Sequence, residues 1–236
     1  MLASPVSRAA SGSSSTRRTV ALPELPLFPL HAVLFPHMPM ALHIFEDRYR
    51  AMMRDCIDQH TTFGVLAIRE GVEVGGPALP YSVGTLAQLR NVEPLADGRY
   101  NLVVVGASRF RVDTFAHDRP YLTGSVRYLE DSPAEAATAG QLEKSVARAF
   151  REYVQRLRES TGDPPIDIEL PDEPELLSYL VAAALQVSLA ERQRLLEIDA
   201  AQARLRACLD VLRREMVLLD HLLGQAPARV SPVPLN

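Results

Sequence analysis

His31, His37 and His43 recur every six residues and lead up to Glu46. Imidazole and carboxylate are zinc-ligand types, but a metal centre needs three or four of them converging within a few ångströms. Short extended runs and proline turns separate these histidines, so nothing in the spacing forces convergence. A locally satisfied structural histidine is the simpler reading, above all for His43 beside Phe45. Glu46, Asp47, Asp55 and Asp58 offer carboxylates for acid–base work, yet they alternate with Arg48, Arg50 and Arg54 on a helical pattern. Surface ion pairs, each worth well under ~1 kcal/mol, account for them. Asp55 and Asp58 flank Cys56 and would raise its thiol pKa, which opposes a nucleophile there. Lys144 is the single lysine, so any lysine chemistry must use it. It precedes Ser145 but follows Glu143 in a helical stripe, without the glycine turn of a phosphate loop. The expectation is no catalytic residue, no metal ligand, no cofactor and no enzyme.

Binding is a better reading than catalysis. Phe35-Pro36-His37-Met38-Pro39-Met40 has a backbone fixed by proline, so little entropy is lost on contact. Met38 and Met40 add polarizable surface suited to varied apolar partners. Both methionines equally suit the filling of a barrel mouth. With His43 and Phe45, the residues Phe35, Pro36, Met38 and Met40 form the candidate peptide-binding set.

These residues need a scaffold, and 236 residues allow one or two domains with a sizeable core. A net charge of −4 opposes non-specific attraction to nucleic acid or an anionic membrane. The absence of Trp weakens any base-stacking surface. Cys56 and Cys208 each sit in an apolar helical pattern; buried thiols in a reducing cytosol are expected over a disulfide. Residues 1–20 are rich in Ser, Ala and Arg and lack both acidic residues and an apolar signal core. They read as a disordered tail rather than a leader. The longest apolar stretch, Leu176 to Ala190, is shorter than the ~20 residues that span a bilayer. A cytoplasmic protein off the membrane is expected.

The first half reads as strands: Leu25–Leu30, Val33–Phe35, Met40–Ile44, Phe63–Ile68, a hairpin of Ser82–Pro94 and Arg99–Thr114 around Asp97-Gly98, and Tyr121–Glu130. Val103-Val104-Val105 predicts burial on both faces. One helix, Glu46 to Ile57, carries Tyr49, Met52, Met53, Cys56 and Ile57 on one face. The second half is helical. Leu142, Val146, Phe150, Tyr153 and Leu157 form an amphipathic stripe broken by Gly162. An apolar helix covers Glu173–Val187. Ser188–Glu191 and Asp199–Gln202 are capping-box patterns. Leu205, Leu209, Leu212, Met216, Leu219 and Leu223 make a short heptad seam ending at Gly224, suited to the chain's own bundle or to a weak homodimer.

Pro26-Leu27-Phe28-Pro29-Leu30, Val33-Leu34-Phe35-Pro36 and Leu42-His43-Ile44-Phe45-Glu46 before Arg48-Tyr49-Arg50 resemble the opening of the substrate-binding domain of Lon-type proteases. Gly84-Thr85-Leu86-Ala87, Gly106-Ala107-Ser108-Arg109-Phe110-Arg111, Pro120-Tyr121 and Gln193-Arg194-Leu195-Leu196-Glu197 continue the resemblance over about residues 22 to 224. It implies an α+β fold: a PUA-like, mostly antiparallel β-barrel over 21–131, then a helical bundle over 132–224, with a loose tail at 225–236. It also implies a free-standing recognition module for unfolded or damaged polypeptides or a protease partner, because no motor or protease sequence follows. An apolar groove between barrel and bundle would do the gripping, with strand addition at an open barrel edge as a further option. PUA-like barrels also occur in RNA-modifying proteins, so RNA binding is the alternative, opposed here by the acidic balance.

Overall fold

The computed structural model describes residues 24–76, 78–131 and 140–225. The expected tails, apart from Gln225, lie outside them. Six strands come first: β1 (Glu24–Leu30), β2 (Pro39–Ile44), β3 (Phe63–Gly71), β4 (Ala78–Pro94), β5 (Tyr100–Ala116) and β6 (Thr123–Leu129). Helix α1 (Asp47–Asp58) lies between β2 and β3. Then follow α2 (Gln141–Thr161), α3 (Pro174–Ala184), α4 (Leu189–Glu197) and α5 (Ala201–Gln225).

The sheet order is β2-β5-β4-β3-β1-β6, with a further pairing of β5 to β6. β1 and β3 run parallel, and every other pairing is antiparallel. β5 is long enough to serve three partners: Tyr100–Val105 faces β2, and Arg109–Ala116 faces β6. The β4–β5 connection spans Leu95 to Arg99. Gly98 takes the left-handed φ of 79° there, the reason glycine follows Asp97.

Two sequence expectations fail in the sheet. Val33–Phe35 is not a strand. It is an irregular crossing whose three side chains are buried, Val33 and Phe35 toward the helices and Leu34 toward α1 and the sheet. The Val103–Val105 run is not buried on both faces. Val104 is 0% exposed and Val103 37% exposed, the alternation of a strand with one solvent face. The apolar run carried no information about which face the helices would cover.

In the helical half, Gly162 caps α2 with φ 79°. Ser188 Oγ accepts the Glu191 N–H at 3.3 Å, as the capping pattern requires. The second capping pattern is not realised: Asp199 Oδ1 accepts from Arg109 and Gln202 Nε2 donates to Glu143. α5 also runs through Gly224 to Gln225. Its heptad residues Leu205, Leu209 and Leu212 are buried, and Met216 and Leu219 pack on the same cluster, so this seam serves the chain's own helices.

Candidate functional site

The proline-rich segment folds as a turn. Met38 N–H donates to Phe35 O at 3.2 Å, Pro36 is the second residue, and His37 sits third at φ 65°. That is a type II arrangement, in which proline presets the second position and the third must take positive φ. Both His37 N–H and Met38 O then bond Gly106, which lets β2 leave the turn in register with β5. A side chain on Gly106 would put its Cβ 2.1 Å from Phe35 O, so only glycine fits this crossing.

The turn divides the candidate peptide-binding residues. Phe35 is 1% exposed and packs near Tyr179, with ring centroids 6.4 Å apart. Pro36 is buried, and half-buried Met38 packs toward the helices. These three hold the turn in place and present little surface. Met40, His43 and Phe45 are brought together instead at a groove of about 360 Å³ beside β2. Phe28, Leu30, Leu42, Tyr49 and Val74 complete its apolar lining. Phe45 and Val74 stand 45% and 54% exposed. The Phe45 ring stacks on His43 at 6.0 Å. Sequence reasoning missed Val74 and Tyr49 as lining residues; a valine in a glycine-rich loop was the one signal for the first.

The groove's carboxylates are already engaged. Glu46 Oε2 accepts from Arg48 Nε at 3.1 Å, and Glu73 Oε2 accepts the His31 N–H at 2.7 Å. Burial pushes the Tyr49 hydroxyl up to about 12, so it is neutral at any physiological pH. The three histidines diverge: His31 meets Glu73, His37 lies 3.9 Å from Glu175, and His43 bonds Asn101. No group of three or more His, Cys, Asp or Glu among the described residues is placed to hold a metal.

A second opening, of about 520 Å³, lies where the sheet meets α3. Gln88, Arg90, Ser108, Glu130, Asp131 and Glu175 share its lining with Pro36, Val105, Leu129 and Tyr179, so the opening at this junction is of mixed polarity. Below it is a charge cluster that the sequence did not reveal. Asp131 accepts from Arg109 at 2.6 Å, from Arg204 at 2.5 Å and from the Tyr179 hydroxyl at 2.9 Å. Arg204 also stacks 3.7 Å over the Tyr179 ring. Arg109 reaches further, to the carbonyls of Leu196 and Ile198. The cluster joins the sheet to α3, α4 and α5.

The family model described as the ATP-dependent protease La (LON) substrate-binding domain matches residues 24–214. The chain belongs to this family. A solved Lon N-terminal domain protein from Xanthomonas campestris superposes with a TM-score of 0.58 at 28% identity, covering 87% of this chain and 100% of that one. The N-terminal domain of Mycobacterium avium complex Lon protease superposes at 0.58 and 16% identity, over 81% and 98% of the two chains, and shows the shared fold. Lon protease of Brevibacillus choshinensis is 26% identical over 201 residues, 84% of this chain and 26% of that protein. This Lon-type chain therefore spans about a quarter of the length of the curated relatives it matches. No helix among its described residues is long and apolar enough to cross a membrane.

Proposed function

We propose that this chain is a non-enzymatic recognition module that grips exposed apolar segments of unfolded or damaged polypeptides, or of a protease partner. The observation that carries the reading is the groove beside β2, where Phe45 and Val74 stay exposed next to Met40, Leu42 and Tyr49. Single exposed apolar side chains are ordinary, but apolar residues gathered in one groove and rimmed by polar ones mark a contact surface. Each Å² removed from water there contributes about 25 cal/mol, so a short segment binds weakly and with broad tolerance of sequence. Phe35, Pro36 and Met38 act behind the groove by fixing the turn that delivers β2.

The pairing circuit β5-β4-β3-β1-β6-β5 supports a PUA-like barrel over 21–131, with the bundle over 132–224. A monomer or weak homodimer in the cytoplasm fits the two free, buried thiols. RNA binding is the second reading; Arg48, Arg50, Arg99, Arg109 and Arg127, each matched to a carboxylate, count against it. The test is titration of a labelled apolar peptide against the chain and against Phe45→Ser/Val74→Ser, together with a broad esterase and peptidase screen. Saturable binding lost in the double variant, with no turnover, is expected. Unchanged binding by the variant, or turnover, overturns the reading.

A further inference from the structure

β2 is the end strand of the sheet, and among the described residues it pairs with β5 alone. The turn fixes the phase of that ladder. Gly106 N–H donates to Met38 O at 3.0 Å, so the Met38 carbonyl points toward β5, while its N–H closes the turn on Phe35 O. Antiparallel ladders alternate residue by residue, which assigns Met40, Leu42 and Ile44 to bonds with β5. Ala41 and His43 then turn their N–H and C=O groups the other way, together with the C=O of Pro39. Ala41 and His43 are exposed and line the groove. The wall of the groove is thus a strand edge offering two donors and three acceptors at every second residue. A free edge of this kind is a template for another extended chain.

Side-chain geometry agrees. Met40, Leu42 and Ile44 face the apolar interior, so an added strand sets alternate side chains beside them and turns the others to water. The six residues of β2 span about 20 Å, the reach of a short peptide strand. Charge narrows the occupant further. The ionised side chains in the lining are Glu46 and Glu73; Arg48 pairs with Glu46 at 3.0 Å, which leaves Glu73 as the lining carboxylate not matched to an arginine. Resting on the groove reading above, we infer that the occupant is an extended polypeptide segment that adds to the free edge of β2 as a seventh strand. It carries apolar residues at alternate positions and basic rather than acidic flanks. The main chain supplies the common affinity and the alternate side chains the preference, the division of labour of strand addition.

The test uses the full chain and a labelled peptide of alternating Leu and Thr with Lys at both ends, followed by fluorescence anisotropy. Two further peptides carry backbone N-methyl groups, one on the odd residues and one on the even. One parity is expected to bind about tenfold or more weakly, a loss of about 1.4 kcal/mol or more, and the other to bind like the parent. Equal affinity of the two methylated peptides overturns strand addition and leaves the groove reading standing. No binding of the parent peptide overturns both. Ala41→Pro removes an edge donor without removing a β2–β5 bond, so it is expected to weaken the parent about tenfold while the unfolding temperature holds. Unchanged affinity in that variant counts against the inference. A peptide with Glu in place of the flanking Lys is expected to bind more weakly, and equal binding overturns the basic preference.

Discussion

Asp131 is the carboxylate shared by two guanidiniums that are 1% and 0% exposed, those of Arg109 and Arg204; Arg109 also reaches Asp199 at 3.3 Å, whereas Asp131 is the carboxylate on Arg204. Removing one partner of a buried ion pair leaves an uncompensated charge and costs about 3–5 kcal/mol. Asp131→Ala is therefore expected to lower stability by that amount, read from the urea midpoint. A change no larger than a surface substitution contradicts this assignment. Arg109 stood in a quoted motif, but its role was illegible because its partners lie 22, 87 and 89 residues away. Cysteine burial was legible. Burial lifts Cys56 from 9.0 to about 11 and Cys208 from 9.0 to about 12. The unfolded chain releases these protons near pH 9 while the folded chain holds them. Their stabilising effect is full below pH 9 and falls as pH rises toward 11 to 12. Urea midpoints at pH 8 and pH 10.5 should show that decline, with a shallower one in Cys56→Ala/Cys208→Ala.

Elements with a strong local signal were read correctly from sequence. α1, α2 and the Ser188 cap needed only periodicity and local hydrogen bonding. Val33–Phe35 was misread because apolar content does not separate a strand from a buried crossing. Its geometry depends on Gly106, a residue 71 positions after Phe35, through a pairing that no local pattern records. Gly106→Ala forces the new methyl against the Phe35 carbonyl, and overpacking of this kind costs about 1–3 kcal/mol. Thermal unfolding of that variant should drop accordingly, and an unchanged midpoint contradicts the turn as described. Ser188→Ala is expected to cost about 1 kcal/mol through the lost cap.

At the scale of the molecule, the strand half and the helical half share apolar contacts. Val33, Phe35, Ala67 and Val83 belong to the same cluster as Phe150, Tyr153, Leu177, Leu196 and Leu205. Gln193 Nε2 adds a buried bond to Val83 O at 3.0 Å. A shared core predicts one cooperative transition, with far- and near-ultraviolet circular dichroism coinciding; two separated transitions contradict it. The order of strands and helices was legible because strand period and helix period change at about residue 132. The candidate groove was half legible: Met40, His43 and Phe45 were named and share its lining, but the residues that close it come from β1, α1 and the loop after β3. The claim on which the account rests is that this chain binds unfolded polypeptide at that groove. Isothermal titration of a reduced, carboxymethylated model protein should give saturable heat, diminished in Phe45→Ser/Val74→Ser. No heat, together with no shift in the chain's unfolding temperature, contradicts it.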